Sequence, residues 1–162
     1  IFGSDKADTP DEVLDTWEQN KRKEKGLTTA TQSMRDVCSY LPSPMRAQKI
    51  LGKAAKAGFD WDDVSGAMTK VREECAELDD AVKHGDNAMI EEELGDLMFA
   101  AVNVARFSGL KAETALNRAT EKFISRFAHV ETAARNSGKE LADLSVDELC
   151  ALWKRAKEAS EN

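Results

Sequence analysis

The chain has 162 residues, of which 41% are apolar and 33% are charged, and its formal net charge is −7 at pH 7. This length fits one domain, or a compact domain with an appended arm, and the composition excludes a disordered chain and a membrane-embedded one. The negative charge argues against nonspecific binding to duplex nucleic acid, because the phosphates would repel it.

The apolar runs and the cysteines indicate the class of protein. No run approaches the roughly 20 residues that a membrane span needs, and no signal peptide is visible. Cys38, Cys75 and Cys150 are odd in number and lack a CxxC spacing, so we expect buried, reduced thiols in a cytoplasmic protein. The chain opens with Ile1 instead of Met, and we therefore expect a fragment or a processed form.

Helix signals dominate the chain, and strand signals are nearly absent. Capping boxes occur at 9–12, with Pro10 at the first helical position, and at 145–148. The segment 26–40 is rich in Thr and Ser and is expected to be a loop with about one helical turn. The breaks HGDN at 84–87 and SGLK at 108–111 separate long stretches of helical period. We predict an all-α antiparallel bundle, with helices over 10–24, 44–57, 63–83, 88–107, 111–135 and 145–159.

The acidity is concentrated in one part of the chain. Between Lys70 and Ala100 there are ten carboxylates and three cations, which accounts for the net charge of the whole chain. Charge runs on helices are usually solvated faces. We expect this of four of the carboxylates, namely Asp79, Asp80, Glu91 and Glu92.

Two other pairs of carboxylates flank the apolar stripes of the two central helices. Residues three or four positions apart share a helix face, which groups Glu74 with Glu77 and Glu93 with Asp96. A hairpin turning at 84–87 would bring both flanks together. Four carboxylates at one rim would be partly protonated or would hold a cation, and all-oxygen ligands suit Mg²⁺ or Mn²⁺. The alternative at this point is another solvated acidic face.

Basic and polar residues extend this pattern. Lys70 lies on the flank of the first carboxylate pair, and Asn103 continues the flank of the second. Lys122 and Arg126 lie four residues apart on one helix face, a spacing that suits a phosphate clamp. Two solvated basic residues would show the same spacing.

The acidic motifs also resemble those of a known family. EECAE at 73–77, followed after fifteen residues by ELGD at 93–96, resembles the EExxE…ExxD signature of the MazG family of all-α nucleoside triphosphate pyrophosphohydrolases. The similarity continues to Glu131, and MRAQKILGKAAKAGFDW at 45–61 resembles the lead-in to the C-terminal domain of two-domain members. IFG at 1–3 resembles the end of a preceding domain, which implies the C-terminal half of a longer chain. The implied domains are an N-terminal arm and lead-in over 1–60 and a catalytic helical domain over 61–162.

The resemblance implies an activity and a set of site residues. Family members hydrolyse nucleoside triphosphates between the α- and β-phosphates, depend on Mg²⁺ and usually dimerise; Mn²⁺ is the alternative ion. The implied metal ligands are Glu74, Glu77, Glu93 and Asp96. The candidate substrate-binding residues are Lys70, Arg72, Asn103, Lys122, Arg126 and Trp153, although Trp153 taken alone would be assigned to the core.

Two further positions qualify this assignment. Glu73 is a candidate catalytic residue that orients or deprotonates the attacking water, or else forms a structural salt bridge. Met89 departs from the family pattern, in which a lysine near the nucleotide can occupy this position, so phosphate affinity or substrate choice can differ.

The expected function is Mg²⁺-dependent hydrolysis of nucleoside or deoxynucleoside triphosphates to the monophosphate and pyrophosphate. One alternative is a phosphoribosyl-ATP or dUTP pyrophosphohydrolase of the same superfamily. The other is a helical regulatory or interaction domain with a non-catalytic metal site. We expect a homodimer, because one helical hairpin is a thin slab whose apolar faces need a second copy to form a continuous core. No nucleic-acid or membrane partner is expected.

Overall fold

Helices make up most of the chain that the structure describes. The computed structural model describes residues 28–160 together with Asn20 and Gly26. No strand occurs among these residues, which confirms the all-α prediction. The described range contains, in chain order, α1 (Ala30–Arg35), α2 (Ser43–Lys56), α3 (Val64–His84), α4 (Asn87–Phe107), α5 (Ala112–Asn136), a 3₁₀ turn (Leu141–Asp143) and α6 (Val146–Ala159). None of these helices combines the length and the apolarity that a membrane crossing requires.

The predicted helix positions agree closely with the observed ones. Helices α2 to α6 each begin and end within one residue of the prediction. The helix predicted over 10–24 lies, apart from Asn20, outside the described residues. The loop predicted over 26–40 contains the short helix α1, because Thr29 and Gln32 form a capping box there. Thr29 Oγ1 accepts from Gln32 N at 3.1 Å, and Gln32 Oε1 accepts from Thr29 N at 3.0 Å.

Helices α3 and α4 pack against each other as a hairpin whose ends are capped locally. Helix α3 begins after Asp63, whose carboxylate accepts a hydrogen bond from Ser65 N at 2.7 Å. It ends at Gly85, whose φ of +70° is a left-handed conformation that glycine adopts without strain. Helix α4 then begins after Asp86, whose side chain accepts from Ala88 N at 3.0 Å. These caps limit the connection to two residues.

Small side chains fill much of the buried part of the hairpin. Ala67 and Ala81 of α3 are 1% and 0% exposed, and Ala100 of α4 is 6% exposed. Alanine at such positions lets two helix backbones approach closely, since the distance between helix axes depends on the side chains at the contact.

Helix α2 packs on α4 and fixes the turn that follows it. The Gln48 side chain donates to Leu110 O at 2.7 Å and accepts from Ala112 N at 2.9 Å. One side chain of α2 therefore satisfies two backbone groups in the connection after α4.

The chain divides into two compact units, Ile1–Ala112 and Glu113–Asn162. The second unit contains an aromatic cluster formed by α5 and α6. The rings of Phe123 and Phe127 stack with centroids 6.0 Å apart, and Trp153 lies 5.2 Å from Phe123 in a tilted orientation. The boundary predicted at residue 61, between a lead-in and a catalytic domain, concerns function and stays a prediction.

The three cysteines are free thiols, but the prediction that they are buried was wrong. Cys38, Cys75 and Cys150 are all exposed. Cys75 lies in the apolar stripe predicted for α3, yet no described helix covers the stripe at that position. Helical spacing alone could not show which part of the stripe would be covered.

Candidate active site

The α3–α4 hairpin brings three of the four predicted metal ligands together. Glu74 and Glu77 lie on α3, and Glu93 lies on α4. Each offers one carboxylate oxygen, and these three oxygens lie within 4.8 Å of one another. Asp96, the fourth predicted ligand, is outside this group of three.

Glu74 is the buried member of the cluster. The residue is 2% exposed, and the Lys70 ammonium lies 2.5 Å from its Oε1. Its Oε2 is buried and has no hydrogen-bond partner among the described residues. A buried carboxylate oxygen without a partner is costly, and a bound cation would remove that cost.

The pKa values within the cluster shift in opposite directions. The hydrogen bond from Lys70 lowers the pKa of Glu74, against the opposing effect of burial. Burial raises the pKa of Glu93, and the charges of Glu77 and Glu74 raise it further. The pKa of Lys70 is itself raised, mainly by its hydrogen bond with Glu74. The cluster thus retains charge at Glu74 and takes up a proton at Glu93 more readily than an isolated glutamate would.

The donor set fits a hard divalent cation. The three clustered residues offer carboxylate oxygens only, without His or Cys in the group, and such ligands suit Mg²⁺ or Mn²⁺. The unpartnered Oε2 of Glu74 supports the same conclusion. The residues present therefore fit the ion that the acidic motifs imply.

Three predicted site residues beside the cluster are differently placed. Lys70 forms an ion pair with Glu74, and its Nζ lies 3.6 Å from an oxygen of Glu73. The Glu73 side chain is 55% exposed. Arg72 is exposed and forms no ion pair with the described residues. Lys70 is thus part of the acidic cluster, and its contact with Glu73 is longer than a hydrogen bond.

The other predicted cationic and aromatic residues belong to the second compact unit, whereas the acidic cluster belongs to the first. Lys122 is exposed. Arg126 donates from Nε to Ser160 Oγ at 3.0 Å. Trp153 is partly buried and lies against Phe123.

Trp153 lines a groove of 490 Å³ between α5 and α6. Phe123 and Phe127 contribute aromatic surface, and Lys154 and Lys157 contribute positive charge. A groove lined by aromatic rings and lysines suits an anionic ligand that carries a planar ring. The two lysines were not predicted as site residues, although their spacing of three in WKRAK places them on one helix face.

Residues 56–131 match the family model of the MazG nucleotide pyrophosphohydrolase domain. Over these residues the chain is similar to MazG domains. The matched range contains α3, α4 and most of α5, and therefore all three clustered glutamates.

Curated proteins similar to this chain align over almost its whole length. A nucleoside triphosphate pyrophosphohydrolase from Escherichia coli (strain K12) is 38% identical over 159 residues, which are 97% of this chain and 60% of that protein. The nucleoside triphosphate pyrophosphohydrolase/pyrophosphatase MazG of Thermotoga maritima is 35% identical over 161 residues, 99% of this chain and 60% of that protein. The Bacillus subtilis protein YabN is 40% identical over 161 residues, 98% of this chain and 32% of that protein. The chain thus spans about 60% of the two pyrophosphohydrolases.

One polar network, centred on Arg106, was not predicted. Arg106 of α4 donates from Nε to Asn103 Oδ1 at 2.8 Å and from Nη2 to Asp60 Oδ1 at 2.5 Å. The Asp60 side chain also accepts from Trp61 N at 2.9 Å. Asn103 and Arg106 are three residues apart, which is a visible helical signal, but no local pattern indicates a partner 46 residues away.

Proposed function

We propose that the chain hydrolyses nucleoside triphosphates to the corresponding monophosphate and pyrophosphate. The observation that carries this proposal is the cluster of Glu74, Glu77 and Glu93, with its buried oxygen that lacks a partner among the described residues. The position of this cluster within a MazG domain supports the activity. Two similar curated proteins are named as nucleoside triphosphate pyrophosphohydrolases, which supports it further.

Mg²⁺ is the proposed cofactor, with Glu74, Glu77, Glu93 and Asp96 as its ligands. Asp96 lies one helical turn after Glu93 on α4. Burial is the main cause of the raised pKa of Glu93. The charge of Asp96 also raises this pKa, but less than the charges of the neighbouring glutamates do. A bound Mg²⁺ would supply positive charge for the triphosphate and make water at the site more acidic.

Glu73 is the proposed residue that accepts a proton from, or orients, the attacking water. Its side chain is 55% exposed and its oxygen is 3.6 Å from Lys70 Nζ, so the ion pair does not occupy it with a short hydrogen bond. It is adjacent in sequence to Glu74 and can therefore reach solvent beside the cluster. A carboxylate so placed can accept a hydrogen bond from water.

Lys122, Arg126 and Trp153 are the proposed nucleotide contacts in the second unit. Positive side chains would stabilise the charge that develops on the departing pyrophosphate. The indole of Trp153 lies in the α5–α6 groove with Phe123 beside it, and this aromatic surface suits stacking with a base.

A homodimer is part of the proposal. Leu94, Met98 and Phe99 of α4 are 45%, 54% and 42% exposed. Contiguous exposed apolar side chains are typical of association surfaces. Light scattering at micromolar concentration should give twice the mass of one chain, and the mass of a single chain alone would contradict the dimer.

The activity is tested by measuring pyrophosphate release from a panel of nucleoside and deoxynucleoside triphosphates that includes dUTP and phosphoribosyl-ATP. Wild type should release pyrophosphate and monophosphate in equal amounts, and only when a divalent cation is present. Glu77→Gln should remove this activity. Glu91→Gln removes the same charge at an exposed position of α4 and should retain it.

The other outcomes distinguish the alternatives. Turnover confined to dUTP or to phosphoribosyl-ATP would replace the proposal with a narrower enzyme of the same superfamily. No turnover of any nucleotide, together with a Mg²⁺-dependent rise in thermal stability, would indicate a regulatory domain with a non-catalytic metal site.

A further inference from the structure

The network around Arg106 joins the acidic helix α4 to the loop that precedes α3. Arg106 contacts Asn103 on its own helix and Asp60 in that loop, at 2.8 and 2.5 Å. Its side chain is 18% exposed and that of Asp60 is 27% exposed. The Arg106 guanidinium also lies over the Phe107 ring, 4.3 Å from the centroid. These contacts hold the guanidinium from three sides.

The chemistry of arginine determines which way the Asn103 amide faces. A guanidinium has only hydrogen-bond donors, so the amide atom that faces Arg106 Nε must be the carbonyl oxygen Oδ1. Rotating the amide by half a turn would place two donors against each other. The Nδ2 group, with its two donor hydrogens, is therefore held on the side away from Nε. It forms no hydrogen bond with any described residue.

The position of Asn103 on α4 relates these donors to the acidic site. Asn103 follows Asp96 by seven residues, which is about 10 Å along a helix axis and about 20° around it. It therefore lies on the same flank as Asp96, at a distance comparable with the length of an extended triphosphate. A donor pair at this position would meet a part of the nucleotide that is not being cleaved.

We propose that Arg106 is a positioning residue that fixes the Asn103 amide so that Nδ2 donates to an acceptor oxygen of the bound nucleotide. This inference rests on the proposed function, since it assumes a nucleotide at the acidic flank. Asp60 balances the charge of Arg106, so the contribution of the guanidinium is the orientation of Asn103 more than attraction of phosphate. An interaction with a non-reacting part of the substrate acts on KM, and kcat stays nearly unchanged.

The test is a double-mutant cycle of Asn103→Ala and Arg106→Lys, with KM and kcat measured for each protein. Lysine keeps the positive charge but cannot contact Asn103 and Asp60 together through a rigid fork. Each single variant should raise KM by about tenfold, the effect of one lost hydrogen bond to a charged ligand, with kcat within about twofold of wild type. In the Asn103→Ala background, Arg106→Lys should change KM by less than about twofold, because the group that Arg106 orients is already absent.

The matched control is Arg135→Lys, the same substitution at an exposed position of α5, which should leave both constants unchanged. Full additivity of the two effects, or a loss confined to kcat, would overturn the proposal and assign Arg106 a structural role. If Arg106→Lys does not fold, Asp60→Asn replaces it in the cycle. Asp60→Asn should raise KM by a few-fold when Asn103 is intact, and should have no further effect once Asn103→Ala is present.

A direct binding measurement separates this inference from the proposed function. Calorimetry can use an α,β-methylene nucleoside triphosphate, which cannot be cleaved at that bond. The dissociation constant of this analogue should rise about tenfold in each single variant, and Arg106→Lys should change it by less than about twofold once Asn103→Ala is present. Wild type that neither binds the analogue nor releases pyrophosphate would refute the proposed function, and this inference with it. Active wild type whose affinity is unaffected by Asn103→Ala would refute this inference alone.

Discussion

Replacing Glu93 with Gln should stabilise the metal-free protein and remove most of its response to Mg²⁺. Burial raises the pKa of Glu93, and the charges of Glu77 and Glu74 add to this effect. At neutral pH the ionised side chain therefore disfavours the folded state. Gln has nearly the same shape and carries no charge, so it should relieve the repulsion without leaving a cavity.

The sign of the pH dependence follows from the direction of this shift. A carboxyl whose pKa is higher in the folded state binds more protons there, so folding stability falls as the pH rises above about 4.3, the unperturbed value for Glu. The Gln variant has no such titration. The thermal midpoints of the two proteins should be close below about pH 4, and the variant should melt at the higher temperature at neutral pH.

Added Mg²⁺ should stabilise wild type more than it stabilises the variant. At a free ion concentration tenfold above Kd, binding stabilises wild type by RT ln 11, which raises the thermal midpoint of a 162-residue chain by about 3–6 °C. Gln offers a neutral oxygen in place of a charged one. If the affinity falls about tenfold, the same concentration stabilises the variant by RT ln 2, or about 1 °C.

Thermal unfolding in EDTA and along a MgCl₂ titration at constant ionic strength measures all of these differences. Glu91→Gln is the control, because it changes the net charge equally at an exposed position of the same helix. The reasoning is refuted if wild type shows no Mg²⁺-dependent rise, or if Glu91→Gln behaves like Glu93→Gln.

Three other predictions test separate parts of the molecule. Asp96→Asn should release almost no pyrophosphate yet melt at or above wild type without metal; wild-type turnover would remove Asp96 from the ligand set. The hydrogen bond from Lys139, with those of the α6 cap, lowers the pKa of Glu148 to about 2, so the stability it contributes is present above about pH 4.3 and lost as the pH falls toward 2. The difference in thermal midpoint between wild type and Glu148→Gln should shrink over that interval, and a constant difference would contradict the linkage. Gly66→Ala should lower the free energy of unfolding by about 1–3 kcal/mol, because the new Cβ would lie 2.8 Å from Trp61 Cγ; a chemical denaturation midpoint at or above that of wild type would show that Trp61 moves freely.

The hairpin could be predicted from the sequence because its signals are local. Asp63, Gly85 and Asp86 each act on residues within four positions of themselves, so helix ends and turn length follow from short stretches of sequence. The bounds of the short helix α1 could not be predicted in the same way, although its capping box is equally local. The segment of α1 lacks apolar residues at helical spacing. A capping motif marks where a helix begins, but without that spacing it does not show how far the helix continues.

The grouping of three carboxylates from α3 and α4 could be predicted from the sequence, but the environment of each could not. Helical spacing places Glu74 and Glu77 on one flank, yet Glu74 is 2% exposed and Glu77 is exposed. The difference in exposure depends on where α4 packs against α3. The spacing of residues within α3 carries no information about that packing. The same limit explains why the link between Asp60 and Arg106 was not predicted: the two residues meet only after the loop, α3 and α4 have all taken their positions.

The apolar stripes show what helical spacing can and cannot decide. On α3 the stripe is continuous in the sequence, but Ala67 is buried whereas Val64 and Val82 are 41% and 56% exposed. On α4 the corresponding exposed positions include Leu94 and Met98, at 45% and 54%. A period of 3.6 predicts that a face is apolar and leaves open what covers it. The described helices cover only part of each stripe, and a second copy of the hairpin would present the same exposed apolar surface in return, which is the physical basis of the proposed dimer.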